Sequence, residues 1–459
     1  MTNQEKIYHL YARAGFGLAP EELNQLNWNV EKAVQELFDV AQVYTALKKP
    51  DFELPGREAV KVMTKEERKQ LKKKAKGLTK EVNLEWVECM INAPVLREKM
   101  SLFWHSHFAC TSKEFDRAIH QVNTIRKLAL GNFKDLVLAI ARDPSMIFYL
   151  NNQQNRKSSP NENFARELME LFTIGRGNYT ERDIKEAARA FTGWFVNKDT
   201  RVFEFKPRQH DFGNKTFMGK TGRFNGEDII DILFEKRETA HFISRKVYRY
   251  FVNDRVNETH VRELGDKFYS SKYDISAMLK HLFTAPWFYD DKNQGTKIKS
   301  PIELFVGLSK VLKLDVQNKS AVFFVQRALG QVLFNPPNVA GWPGGQAWID
   351  NSTLLLRCNL VSLIFDRTQI DFKTKEAFEA QQRNPRVKKL KLTADLTPIT
   401  KAFVASQDLK KDLSTYLLRC KANLNNSFID QFLAKATSKE EKIKAWLLGL
   451  MTMPEYQMC

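Results

Sequence analysis

Residues 161–194 read NENFARELMELFTIGRGNYTERDIKEAARAFTGW, and this stretch predicts two short helices joined by a glycine-rich turn. Pro160 suits the first turn of the first helix because a proline lacks the backbone N–H that would have no partner there. The apolar residues of that helix recur at helical spacing; they are Phe164, Leu168, Leu171 and Phe172. Gly175 and Gly177 then supply its C-terminal stop.

The second helix of the stretch has its own start and stop signals. Thr180 precedes Asp183 by three residues, an acidic variant of the capping box, and Gly193 closes the helix. The same mixture of caps and helical periodicity recurs over most of the chain. The predicted fold is therefore mainly α, a multi-helical globular array with a small β-hairpin insertion.

The acidic residues of this stretch have two interpretations. Glu167 and Glu170 share one helix face with Asn163, beside the apolar stripe. They could form a network of Glu–Arg pairs that fixes helix register, or several carboxylates could converge on a pocket that binds a metal ion or transfers protons. The available arginines are Arg166, Arg182 and Arg189. These residues alone leave both alternatives open.

Composition limits the class of protein. The chain has 459 residues, 43% of them hydrophobic, which is enough to bury a large core and excludes disorder for most of its length. The formal net charge of +18 favours anionic partners. The five cysteines show no CxxC spacing, and neither a signal peptide nor a transmembrane run is present. We therefore expect a protein of a reducing compartment, cytoplasmic as written.

The chain divides into three predicted parts. Residues 1–365 form a helical core, with the hairpin and a loop at about 195–224; residues 366–398 form a basic connector; residues 399–459 form a C-terminal helical group. A lysine-rich run, ERKQLKKKAK at 67–76, lies on a predicted helix of the core. It has no interleaved aromatic residues, so we interpret it as a solvated surface helix and do not expect nucleic acid as a partner.

Three further segments carry candidate site residues. His105 and His107 flank Ser106, and at a helix end both could reach one ion, although aromatic-rich cores often hold such histidines as structural residues. A glycine-punctuated loop carries the next group, His210, Asp211 and Lys215. The loop around Trp342 and Trp348 is rich in proline and glycine, and it could be either a structural lid or a wall that faces a substrate.

Five ordered motifs carry a resemblance to a known family. They are FWHSHF, the stretch that follows Pro160, HDFGNKTFMGKTG, IKSPIEL and NPPNVAGWPGGQAWIDNSTLLLR. In this order they closely resemble the bacterial family called domain of unknown function 1800, over nearly the whole chain. The resemblance implies a protein partner of the alkaline phosphatase/sulfatase-like type, and export for many members. This sequence shows no signal, so export would depend on a partner.

The family's recurring blocks fall on the polar residues named above, and this resemblance favours a real pocket. The leading hypothesis is a metal-dependent enzyme, a hydrolase of an anionic or glycan-type substrate. Its predicted metal ligands for Zn, Mn or Fe are His105, His107, Glu167 and Glu170. Its predicted catalytic residues are Glu167, Glu170, His210 and Asp211. Its predicted substrate-binding residues are Arg166, Lys215, Asn161, Asn163, Trp194 and Trp342.

The alternative hypothesis is a non-catalytic scaffold that binds an acidic partner protein or a polyanion. In that case every acid of the cluster pairs with an arginine. The sequence does not decide whether the protein is an enzyme.

Overall fold

The chain is mainly helical, as predicted. The computed structural model describes residues 1–26, 29–92, 95–112, 114–197, 199–316, 319–365, 392–424 and 427–459. Most of the predicted basic connector, 366–391, lies outside the described residues. None of the described helices combines the length and the apolar character that crossing a bilayer requires.

Helices α1–α10 occupy the first 190 residues. They are α1 Asn3–Ala14, α2 Val30–Val40, α3 Arg57–Val62, α4 Lys65–Asn92, α5 Val95–His107, α6 Phe115–Leu128, α7 Phe133–Ala141, α8 Pro144–Tyr149, α9 Asn163–Glu167 and α10 Glu181–Ala190. After α9 the chain continues as a π-helical segment, Leu168–Thr173. The predicted first helix of the 161–194 stretch is thus a short α-helix that widens into a π-helix.

Local signals explain where these helices begin and end. Thr180 and Asp183 form the predicted capping box of α10, with each side chain accepting from the other residue's backbone N–H. Gly175 and Gly193 both have φ of +79°, the left-handed conformation that glycine adopts without a Cβ clash. The stop signals inferred from the sequence are therefore confirmed.

Short antiparallel strands interrupt the helices. Strands β1 Trp194–Val196 and β2 Phe203–Phe205 form one hairpin, and β3 Lys215–Phe217 and β4 Lys220–Gly222 form a second. The small β insertion after residue 194 is thus confirmed, as two hairpins rather than one. A third pair joins β5 Leu314–Asp315 to β6 Thr393–Ala394.

The second half of the chain is again helical. It contains α11 Gly226–Phe234, α12 Arg237–Phe251, α13 Glu258–Ser270, α14 Ile275–Thr284, α15 Pro301–Leu312, α16 Lys319–Leu329, α17 Asn351–Ile364, α18 Thr397–Phe403, α19 Leu409–Leu417, α20 Ser427–Leu433 and α21 Lys439–Thr452. Buried residues of the C-terminal helices belong to the same hydrophobic cluster as those of α1. Tyr416 of α19 donates a hydrogen bond to the Leu18 carbonyl at 2.8 Å.

Helix α5 lies inside the core, and several of its charged side chains are buried there. Glu98 and Arg126 form an ion pair at 2.7 Å, and their side chains are 1% and 3% exposed. The Trp86 indole N–H donates to the same carboxylate at 2.8 Å. Because a buried carboxylate is stable only when its oxygens have partners, this network fixes how α4, α5 and α6 pack.

We expect Glu98→Ala to lower the free energy of unfolding by about 3–5 kcal/mol, since it leaves the Arg126 charge buried without its partner. Urea denaturation followed by circular dichroism measures the loss. The matched control is Glu258→Ala, which breaks an exposed pair with Arg245 and should leave the midpoint nearly unchanged. Equal midpoints for the two variants would show that the buried pair does not hold the three helices.

Candidate functional site

The predicted acidic face of α9 and the π-helix is largely occupied by ion pairs. Glu170 pairs with Arg176, and the Tyr179 hydroxyl donates to Glu170 at 3.4 Å. Arg166 bridges Glu162 at 3.1 Å and Glu181 at 2.9 Å. Glu167 is half-buried, and burial together with the neighbouring Glu170 raises its pKa.

His105 is a structural histidine in this arrangement. Its Nε2 accepts a hydrogen bond from the Phe334 backbone N–H at 3.1 Å. Its ring packs between Trp86, with centroids 5.1 Å apart, and Trp342, at 5.7 Å. Burial lowers the pKa of His105 to about 3, so the ring is neutral and its Nδ1 carries the proton. His105 therefore fastens the loop that carries Phe334 to α5.

His107 reaches the π-helix through backbone carbonyls rather than through glutamates. Its Nε2 donates to the Phe172 carbonyl at 3.0 Å, because a carbonyl can only accept. Its Nδ1 is then the acceptor for the Lys246 ammonium at 3.2 Å. Lys246 also donates to the Leu171 carbonyl at 2.8 Å. The last carbonyls of a helix have no partner within it, and His107 and Lys246 supply the donors.

The four predicted metal ligands thus do not meet. His105 and His107 face different partners, and Glu170 faces Arg176. Across the described ranges, no three or more His, Cys, Asp or Glu side chains are grouped so that they could hold a metal ion. A His/Glu centre formed by His105, His107, Glu167 and Glu170 does not fit these contacts.

His210, Asp211 and Lys215 form a separate cluster that holds the second hairpin against α10. Asp211 accepts from Arg189 at 2.7 Å, and His210 donates through Nδ1 to the Thr192 carbonyl at 2.8 Å. Lys215 donates to the carbonyls of Asp211, at 2.5 Å, and Gly213, at 3.1 Å. Burial lowers the pKa values of both His210 and Lys215.

Two acids of α10 bind the same hairpin through its backbone. Glu186 accepts from the Thr216 N–H at 2.9 Å, and Asp183 accepts from the Met218 N–H at 2.7 Å. These carboxylates therefore act as anchors for β3 and for the turn after it. The sequence left open whether the acids of this stretch stabilise the fold or form a pocket. The contacts of Glu186 and Asp183 are structural.

The remaining predicted substrate-binding residues near α9 and β1 also have structural contacts. The Asn161 N–H donates to Asn155 at 2.9 Å, and the Asn161 side chain accepts from the Asn163 N–H at 3.0 Å, as in a helix cap. Trp194 is buried against Phe191, with ring centroids 5.1 Å apart.

Two of the predicted residues, His107 and Trp342, do come together at one cavity. We call this cavity the Trp342 cleft. It has a volume of about 430 Å³ and is lined by α5, α12 and the loop around Trp342. Its aromatic lining consists of Phe103, Tyr250, Trp342 and Trp348, and its cationic lining includes Lys246, Arg249 and Lys297. A concave cavity in which aromatic walls and polar groups converge is a usual form of ligand site.

The loop around Trp342 is seated tightly on the C-terminal end of α5. Gly341 has φ of +81°, and a Cβ at this position would lie 2.3 Å from the Ser106 carbonyl oxygen. A glycine is therefore required here both for backbone conformation and for space. This close approach holds Trp342 at the edge of the cleft.

The cleft has an excess of positive charge. Its two acids already have lysine partners: Asp254 pairs with Lys297, and Glu303 pairs with Lys99. Although burial alone would raise the pKa of Glu303, Lys99 and the capping group of Ser300 lower it to about 2. Within the described part of the chain, neither Lys246 nor Arg249 forms an ion pair, although the charge of Arg249 contributes to the lowered pKa of Glu258, which pairs with Arg245. Burial lowers the pKa of Lys246 to about 8.

A comparison with models of protein families shows the family to which the chain belongs. The model of the family described as "Protein of unknown function (DUF1800)" matches residues 9–458. The chain belongs to this family. No significant match was found among curated proteins or among solved structures.

The sequence analysis of this DUF1800 chain does not predict the basic residues of α12 that line the Trp342 cleft. Lys246, Arg249 and Tyr250 lie on α12 at positions i, i+3 and i+4, which share one helix face. That spacing is visible in the sequence. It was not informative alone, because a basic and aromatic helix face is usually solvated, and only the fold shows that it faces Trp342.

We expect Gly341→Ala to destabilise the DUF1800 chain by about 2–4 kcal/mol, since it adds a left-handed backbone penalty and a clash with α5. Thermal unfolding and tryptophan fluorescence measure the change. Gly344→Ala is the matched control, because its φ is +71° but no atom lies within 4 Å of the added Cβ. Equal losses in the two variants would mean that the loop is not seated on Ser106.

We expect Lys246 to react with acetic anhydride as an amine whose pKa is about 8, because burial disfavours its charged form. Competitive labelling at pH values on both sides of 8, read by mass spectrometry, gives its titration curve. Exposed lysines in the same digest provide the internal reference near 10.4. A Lys246 curve that coincides with theirs would contradict the burial of this amine in the cleft.

Proposed function

We propose that this protein binds an anionic, glycan-type ligand in the Trp342 cleft. The observation that carries the proposal is the pair Lys246 and Arg249, one turn apart on α12, which line the cleft and form no ion pair within the described residues. An anionic group of the ligand would supply that partner.

The electrostatics support an anion at this place. A cation in a largely dehydrated site is unfavourable unless it is paired, so a bound phosphate, sulfate or carboxylate would stabilise Lys246 in its charged form. Arg249 is exposed and can offer two parallel N–H donors to such a group. The formal net charge of +18 would also speed the encounter with an anion.

The aromatic wall supports a ligand that also has a ring. Trp342 and Trp348 come from the same loop and line the cleft beside Phe103 and Tyr250. Tryptophan faces suit sugars, cations and aromatic ligands. A volume of about 430 Å³ lies in the range of small-ligand sites. A phosphorylated, sulfated or uronic sugar combines both requirements.

If the protein is a hydrolase, this proposal assigns its proton transfer to residues other than Glu167 and Glu170. Lys246, with its pKa near 8, is the proton-transfer group in the cleft, and His107 positions it through a hydrogen bond of 3.2 Å. Glu167 and Glu170 do not line this cavity. The proposal therefore assigns them structural roles and requires no His/Glu metal centre.

A partner of the alkaline phosphatase/sulfatase-like type, which the family resemblance implies, would be consistent with a phosphorylated or sulfated ligand. Partner and compartment stay predictions. Co-purification of the tagged chain from its native host addresses both.

Isothermal titration calorimetry with glucose 6-phosphate, glucuronate and glucose tests the ligand class. We expect the two anionic sugars to bind and neutral glucose not to bind, with binding unchanged by EDTA. Lys246→Met and Arg249→Ala should each weaken binding about 10-fold to 100-fold, the equivalent of losing one hydrogen bond between charged groups.

Arg237→Ala is the matched control, since Arg237 lies on the same helix α12 and pairs with Asp266 outside the cleft. Its affinity should equal that of the unmodified protein. Binding that is as strong for glucose as for the anionic sugars, or that survives both cleft substitutions, would overturn the proposal.

A further inference from the structure

A second concave surface lies between α4 and α16, away from the Trp342 cleft. We call it the α4 groove. It has a volume of about 680 Å³, and the two cavities have no lining residue in common. Three lysines of α4 lie along it, namely Lys72, Lys76 and Lys80.

These lysines are regularly spaced and available. They follow one another at i, i+4 and i+8, so their side chains project from one helix face, and all three are exposed. Lys80 lies over the Phe323 ring at 4.8 Å. Within the described residues, none of the three forms an ion pair. By contrast, Lys69 on the same helix pairs with Glu66 at 3.7 Å.

The floor of the groove is apolar. Ala75 and Val332 are 9% and 8% exposed, and Leu333 lies beside them. The partly exposed aromatic ring of the lining, Phe323, is covered by Lys80, so the floor fits an aliphatic side chain better than a stacked base. An occupant therefore needs acidic groups on one edge and apolar groups next to them.

A buried pair of hydrogen bonds between α4 and α16 fixes the width of the groove. The Asn83 amide of α4 donates to Gln326 of α16 at 3.0 Å, and the Gln326 amide donates back to Asn83 at 2.6 Å. Both side chains are buried. This reciprocal pair holds the two helices at a constant separation, so the groove is formed before any partner binds.

We propose that the α4 groove is the docking site for an acidic amphipathic helix of a partner protein. From Lys72 to Lys80 the helix rises about 12 Å, the length of two helical turns. Carboxylates spaced at i and i+4 on the partner helix would match the lysine spacing, and its apolar face would cover the Ala75 and Val332 floor. Glu114 is the acidic residue of the lining, and its charge is already paired with Arg117 at 2.7 Å.

The test uses the full chain and a fluorescein-labelled helical peptide of glutamate and leucine, with its glutamates at i and i+4. Fluorescence anisotropy should show saturable binding that weakens with salt. The triple variant Lys72→Glu, Lys76→Glu, Lys80→Glu should weaken binding at least tenfold. Because the three residues are exposed, unchanged circular dichroism is expected.

The matched control is the triple variant Lys65→Glu, Lys69→Glu, Lys73→Glu. It changes the same charge at the same spacing on the same helix, but outside the groove lining, and should bind within about twofold of the unmodified chain. Equal weakening in the two triples would overturn the proposal in favour of diffuse attraction. It would also be overturned if a scrambled peptide of the same composition bound equally well, or if labelled duplex DNA bound more tightly than the peptide.

Discussion

The burial of charged residues on α5 is the constraint on which the rest of the fold depends. Three consecutive residues of this helix, Arg97, Glu98 and Lys99, are buried. Each has a partner from a different part of the chain: Arg97 donates to the Ala41 carbonyl at 2.8 Å, Glu98 pairs with Arg126, and Lys99 pairs with Glu303. Since an unpaired buried charge is strongly unfavourable, α2, α6 and α15 must all be in place before α5 is stable.

The far end of the same helix organises the candidate site. Two turns after Lys99, His105 holds the Phe334 backbone and His107 holds the end of the π-helix. Ser106, between them, provides the carbonyl on which Gly341 is seated. The HxH spacing thus matters because its three residues contact three different segments, and those segments enclose the cleft. Neutral histidines suit this role, because a charged ring would be unfavourable in such a buried position.

Features encoded within one helical turn could be predicted from the sequence. The caps of α10, the glycine stops at Gly175 and Gly193, and the first hairpin after Gly193 follow from local rules, whereas the second hairpin was not predicted. The Glu–Arg interpretation of the acidic stretch also matches the ion pairs of Arg166 with Glu181 and of Arg189 with Glu186. The Trp342 loop lines the cleft, and its two interpretations, a structural lid or a wall that faces a substrate, stay predictions.

Long-range partners could not be predicted, for a physical reason. A histidine accepts hydrogen bonds from, or donates them to, backbone groups as readily as it binds a metal ion, and backbone groups carry no sequence signal. His107 was therefore grouped with Glu167 and Glu170, when its actual contact on that segment is the Phe172 carbonyl. The π-helical widening at Leu168–Thr173, which places this carbonyl, is likewise absent from the residue pattern.

The distribution of acids explains why the cleft remains cationic. The carboxylates of the 161–194 stretch are used to fix helices and hairpins, with Glu186 and Asp183 bound to backbone N–H groups and Glu170 bound to Arg176. The two acids at the cleft are likewise paired with lysines. Within the described residues, neither Lys246 nor Arg249 forms an ion pair, and the acid that Arg249 feels, Glu258, is itself paired with Arg245. Because the acids of α5 and α10 are used within the fold, the cleft keeps a positive, aromatic-walled lining. Attraction to Lys246 and Arg249 would offset the cost of removing an anionic ligand from water.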